Sequence, residues 1–104
     1  MRLFLLFAAT TGVLSAASAR THTVTQKDKL FGAATLTVAV GDTIVFRNDD
    51  DVVHNVFTSS PDFKFNLRSQ APGTSAAVAF DTPGAHSVRC AIHPTMKLSV
   101  TVTP

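Results

Sequence analysis

Cys90, His93 and Met96 fall within seven residues, Cys90-Ala91-Ile92-His93-Pro94-Thr95-Met96, and Cys90 is the only cysteine of the chain. A thiolate, an imidazole and a thioether in so short a span form a soft-metal donor set. One further imidazole would complete a His₂Cys set with a weak axial methionine, the donor arrangement of a mononuclear copper electron-transfer site. Zinc competes for cysteine and histidine. Structural zinc sites usually bring two or more cysteines, and catalytic ones keep a water on the metal. The thioether of Met96 favours copper, although methionine also fills gaps in cores, and that packing role stays open.

The second imidazole has to come from elsewhere in the chain. His86 sits four residues before Cys90 on the same expected strand, about 13 Å away at the usual rise per residue, too far to share an ion. It reads instead as a hydrogen-bonded, partly buried histidine. His54, at the end of the apolar stretch Val52-Val53-His54-Asn55-Val56-Phe57, is the best-placed donor. His22 raises a different possibility. A chain beginning Arg20-Thr21-His22 could bind a second copper through its α-amine and imidazole in square-planar nitrogen coordination.

The elements that must hold these residues are strands. Leu36, Val38 and Val40 alternate with Thr35, Thr37 and Ala39, a period of two that turns one face towards a core. Residues 43–48 follow a Gly41-Asp42 turn and place Ile44 and Phe46 on one face. Residues 21–26, 52–58, 76–80, 87–90 and 98–103 read the same way. Residues 59–74, with two prolines and a glycine, read as a long connection carrying a short extended piece at 63–67. About seven short strands separated by turns argue an all-β sandwich. The run Asp49-Asp50-Asp51 reads as a solvated turn, with steering of a basic partner as the alternative.

The N-terminus reads as a leader. Arg2, the mainly apolar run 3–14 and Ala17-Ser18-Ala19 match the positive, apolar and small-residue parts of a cleaved export signal. The run is too short for a membrane-spanning helix. Residues 1–19 are therefore expected to be a signal peptide, and residues 20–104 one small domain. Loss of Arg2 lowers the formal net charge of +2 by one, which leaves no electrostatic footprint for nucleic acid. An unpaired cysteine in an exported chain has a reason to persist if it ligates a metal.

Gly41-Asp42-Thr43-Ile44-Val45-Phe46-Arg47-Asn48, then His54-Asn55, then Pro83-Gly84 leading into Cys90-x-x-His93-x-x-Met96, occur in an order that resembles the cupredoxins. These are the blue-copper proteins that include plastocyanin, pseudoazurin and amicyanin. The short loop with Pro94 after the histidine looks most like amicyanin. The resemblance implies a Greek-key β-sandwich and a type 1 copper, one per chain, on His54, Cys90, His93 and Met96. It also implies that Asn55 ties the two ligand loops together, and that the edge of His93 is the electron port, flanked by Pro94, Ala91 and Thr95. Ala91 departs from the family, which often has Ser or Thr there, so the usual side-chain partner of Asn55 is missing.

The implied function is a periplasmic one-electron carrier that is not an enzyme. It would be a monomer with no stable membrane insertion, meeting transient redox partners such as a c-type cytochrome or a periplasmic oxidoreductase. The alternative is a copper-handling protein, but the Met-rich or His-rich tract expected of one is absent. A copper enzyme would need an open coordination position and further titratable groups around it.

Overall fold

The computed structural model describes residues 18–104, so the expected leader falls almost wholly outside the described residues. Nine strands follow one another: β1 (Thr21–Lys27), β2 (Leu30–Phe31), β3 (Thr35–Ala39), β4 (Asp42–Asn48), β5 (His54–Ser60), β6 (Phe63–Gln70), β7 (Ser75–Phe80), β8 (Gly84–Arg89) and β9 (Lys97–Thr103). Among the described residues there is no helix. The strands form two sheets, ordered β2-β1-β4-β7 and β3-β9-β8-β5-β6. β1 runs parallel to β4, and β3 parallel to β9, while the other pairings are antiparallel.

The alternation read from the sequence is what builds the core. Val24, Ile44, Phe46, Val56, Phe80, Val88, Leu98, Val100 and Val102 are buried, with polar neighbours turned outward along most strands. Phe46 packs edge-on against Phe31 and stacks with Phe65, and Phe65 in turn meets Phe80. A row of phenylalanines thus supplies the aromatic volume in a chain that has neither Trp nor Tyr.

The expected connection over 59–74 is instead largely an eight-residue strand, β6. Phe63, Phe65 and Leu67 alternate with Lys64, Asn66 and Arg68, but β6 is an edge strand and its apolar side chains are only partly covered. Its pairing with β5 also slips: Asn55 pairs with Ser69 but Phe57 with Asn66, so β6 carries one extra residue. Arg68 takes a positive φ of 61° in this bulge. The bulge breaks the two-residue period only after Arg68, where Ser69 is exposed and Gln70 buried.

β1 and β4 are clasped at their starts by Asp42, which is 3% exposed. Its carboxylate accepts hydrogen bonds from the Arg20 and Ala39 backbone N–H groups and pairs with Nε2 of His22 at 2.9 Å. The backbone hydrogen bond from Arg20 is the largest influence holding its pKa down at about 2, followed by that of His22. A carboxyl whose folded pKa lies below its unfolded value of about 3.9 contributes stability that is complete above that value. The contribution is lost as pH falls through the folded pKa. Acid unfolding followed by circular dichroism should therefore show a stability loss between about pH 4 and about pH 2, and Asp42→Asn should flatten that limb.

Candidate metal centre

One end of the five-stranded sheet gathers the candidate donors. β8 ends at Arg89 and delivers Cys90 to the head of a loop that turns at His93 and returns into β9. The turn is closed by the Met96 N–H donating to the His93 carbonyl at 2.9 Å. His54 opens β5, next to β8 in the same sheet. Cys90 and Met96 are buried in the common core cluster, and His54 has no exposed surface, while His93 is partly exposed.

His54 Nδ1 lies 3.0 Å from His93 Nδ1, and Cys90 Sγ lies 4.0 Å from the first and 3.9 Å from the second. These spacings test whether one ion fits. An ion at about 2.0–2.1 Å from each nitrogen and about 2.3 Å from the sulfur would reach all three atoms at once, so His54, Cys90 and His93 fit a single metal. Two imidazoles and one thiolate, with a thioether nearby in the sequence, are a donor set suited to copper, whereas structural zinc sites usually bring two or more cysteines.

The buried imidazole of His54 is fixed from behind. Its Nε2 lies 2.9 Å from Asp50 Oδ2. An ionised carboxylate only accepts, so the hydrogen resides on Nε2 and the Nδ1 lone pair faces the cluster. Asp50 Oδ2 also accepts the Lys29 N–H, Oδ1 the Asp51 N–H, and the Asp50 N–H donates to Asn48 Oδ1. The Lys29 hydrogen bond, then that of His54, holds the Asp50 carboxyl well below the usual carboxylate range.

The three aspartates therefore have three surroundings. Asp49 pairs with Arg47 at the surface, Asp51 is exposed, and Asp50 is buried against His54. Reading the run as one solvated turn misses Asp50. The signal available was its position four residues before a candidate ligand whose other ring nitrogen must be satisfied.

Asn55 joins the two loops as expected, but through backbone. Its Oδ1 accepts the Ala91 N–H at 3.3 Å, so a side chain at 91 is not needed. Its Nδ2 donates to Asn66 Oδ1 and to the Arg68 carbonyl, using the bulge of β6. Its backbone N–H points at Cys90 Sγ at 3.3 Å, a favourable partner for a negatively charged sulfur.

The other two histidines lie elsewhere. His86 is buried between Ser60 Oγ and the Thr82 carbonyl, with its ring against Phe63, as a structural histidine. His22 is held by Asp42, and the Arg20 nitrogen lies on the other oxygen of the same carboxylate. Residues 21–26 are extended in the parallel ladder with β4, where consecutive amide nitrogens face opposite ways. The copper site suggested at Arg20-Thr21-His22 needs a free α-amine, whereas the Arg20 nitrogen here is the amide of the Ala19–Arg20 bond.

Comparison with known proteins agrees with this geometry. Residues 18–103 match the family model described as copper binding proteins, plastocyanin/azurin family. The chain is 33% identical over 87 residues to the methylamine utilization protein MauL of Methylophilus methylotrophus. That match covers 81% of this chain and 50% of the relative, so the chain spans about half the length of MauL. A copper-containing nitrite reductase from Thermus scotoductus superposes with a TM-score of 0.73 at 26% identity, over 80% of this chain and 22% of the enzyme. A purple cupredoxin from Nitrosopumilus maritimus superposes at 0.70 and 23% identity, over 79% and 99% of the two chains. An amicyanin variant in its Cu(I) form gives 0.73 and 21%, over 80% and 82%.

Replacing a group that orients a metal ligand typically lowers metal affinity about 10–100-fold. Asp50→Asn should do so here, since the neutral amide is a weaker acceptor for the His54 N–H. Competition with a copper chelator measures the change, and far-UV circular dichroism checks that the variant keeps its sheets.

Proposed function

Because the chain belongs to the plastocyanin/azurin family of copper-binding proteins, the cupredoxins, with one copper per chain, we propose that it is a one-electron carrier with type 1 copper on His54, Cys90, His93 and Met96. The observation that carries this reading is the convergence of Cys90 Sγ with the Nδ1 atoms of His54 and His93, all within 4.8 Å of one another. Bound copper supplies a Cu(II)/Cu(I) couple.

The chain's own residues do the rest. Asp50 and the Asn55 bridge hold two of the donors in place, so little has to move between oxidation states. Burial of His54 and Cys90 keeps water from the inner side. Met96, buried in the hydrophobic core with Cys90, is the residue that would complete the donor set. A four-donor site leaves no position for a substrate, which favours a carrier over an enzyme. The nitrite reductase that superposes on this chain is a much longer protein, of which this chain covers 22%.

His93 is the proposed exit for the electron. On its loop Ile92 is 51% exposed and Ala91, Pro94 and Thr95 are exposed beside it, and Val53, next to His54, is 41% exposed. A small apolar face suits brief contact with a redox partner, and a c-type cytochrome or a periplasmic oxidoreductase is the partner class proposed. The leader at 1–19 supports export to the periplasm, with residues 20–104 as the working domain. Methylamine utilisation belongs to the name of MauL, and half of that protein lies outside the match; the proposal for this chain is the carrier chemistry.

Cu(II) added to the protein should produce an intense blue absorption from thiolate-to-copper charge transfer, lost on reduction. A pale spectrum of water-coordinated copper would overturn the reading. Cys90→Ser should abolish the colour while leaving the sheet signal in circular dichroism.

A further inference from the structure

Asp42 carries a negative charge in a nearly closed environment, and its hydrogen-bonding neighbours offer it no permanent positive charge. Among the described residues the Arg20 N–H, the Ala39 N–H and the His22 ring all touch it, and of these only His22 can be cationic, when protonated. Buried carboxylates are ordinarily paired. A backbone carbonyl would have satisfied an amide N–H at far lower desolvation cost.

The two carboxylate oxygens divide their partners. Oδ2 takes His22 Nε2 and the Ala39 N–H, while the Arg20 nitrogen, 2.9 Å away, is the partner on Oδ1. The Arg20 carbonyl is pinned in turn by the Thr43 N–H at 2.9 Å. Residue 20 is therefore held on both sides, one residue before β1 begins. Ser18 and Ala19 run on across an open cleft lined by His22, Thr37, Asp42 and Thr103.

We propose that Asp42 is the receptor for the α-ammonium created when the leader is removed after Ala19. In that hydrolysis water adds across the Ala19–Arg20 peptide bond. Hydroxyl goes to the Ala19 carbonyl carbon and hydrogen to the Arg20 nitrogen, which takes up one more proton at neutral pH. The nitrogen already resting on Oδ1 becomes a cation without moving, and an amide–carboxylate contact becomes a buried ion pair. Ionised donors make hydrogen bonds roughly twice as strong as neutral ones. Processing thus strengthens the clasp between β1 and β4, and it commits the amine to Asp42. The inference rests on the exported-carrier reading and its cleavage point.

The two are read separately. The full-length precursor is expressed in an exporting bacterial host, and mass spectrometry of the copper-loaded product gives its first residue. Arg20 is expected, and a retained leader or another start overturns the cleavage point. Copper-loaded chains beginning at Arg20 and at Ala19, released from a removable tag, are then compared in urea, each with Asp42 and with Asp42→Asn. The Arg20 start should have an unfolding constant about tenfold smaller than the Ala19 start, and the difference should vanish in Asp42→Asn. Equal stabilities with Asp42 present overturn the inference. If the Asp42→Asn chains do not fold, acylation of the Arg20 α-amine at neutral pH decides. It should be about tenfold slower in the folded protein than in urea, and equal rates overturn the inference.

Discussion

A histidine with no exposed surface must have both ring nitrogens satisfied, and His54 meets that demand in two directions. Its Nε2 meets Asp50, and its Nδ1 faces His93 and Cys90. Much of the surrounding structure can be traced from this one ring. Asp50 also takes the N–H of Lys29, from the turn between β1 and β2, where Asp28 and Lys29 both have positive φ. The hairpin of one sheet is thereby tied to a donor held by the other. Two left-handed residues without glycine are unfavourable in isolation, and the buried carboxylate offsets that cost.

Asn55, the next residue, performs the matching task on the sulfur side. Its backbone N–H meets Cys90 and its side chain spans to Ala91, Asn66 and Arg68. The bulge in β6 is part of this arrangement, because the carbonyl of its left-handed residue, Arg68, accepts from Asn55. His54, Asn55 and Val56 are all buried in succession, so both faces of β5 are covered where it begins. An irregular strand pair and a regular strand pair, β8 with β9, bring the donors together.

Both carboxylates with depressed pKa values belong to this economy of buried charge. Asp42 and Asp50 each collect backbone N–H groups and one histidine, and each joins segments far apart in the chain. Asp50 serves a candidate ligand, and Asp42 serves the edge where the domain begins. The contrast with Asp49, paired with Arg47 at the surface, shows that neighbours in sequence need share no role.

The sequence by itself determined the sandwich, the candidate donors and the separate place of His86. Two-residue alternation reports a strand's buried face directly, and a cysteine, histidine and methionine three apart report a metal loop because few other uses require all three. His86 was separable by strand rise alone. What only the tertiary structure decided lies wherever a residue's role depends on a partner distant in the chain. The burial of Asp50, the backbone replacement for a side chain at Ala91, and the continuation of β6 past Leu67 through a bulge are cases of this kind. Each depends on a contact across strands, and a linear pattern carries no term for the residue opposite. Between Cys90 and His54, separated by 36 positions, the sequence could supply the chemistry of the pair, and the packing of β5 against β8 supplied their distance.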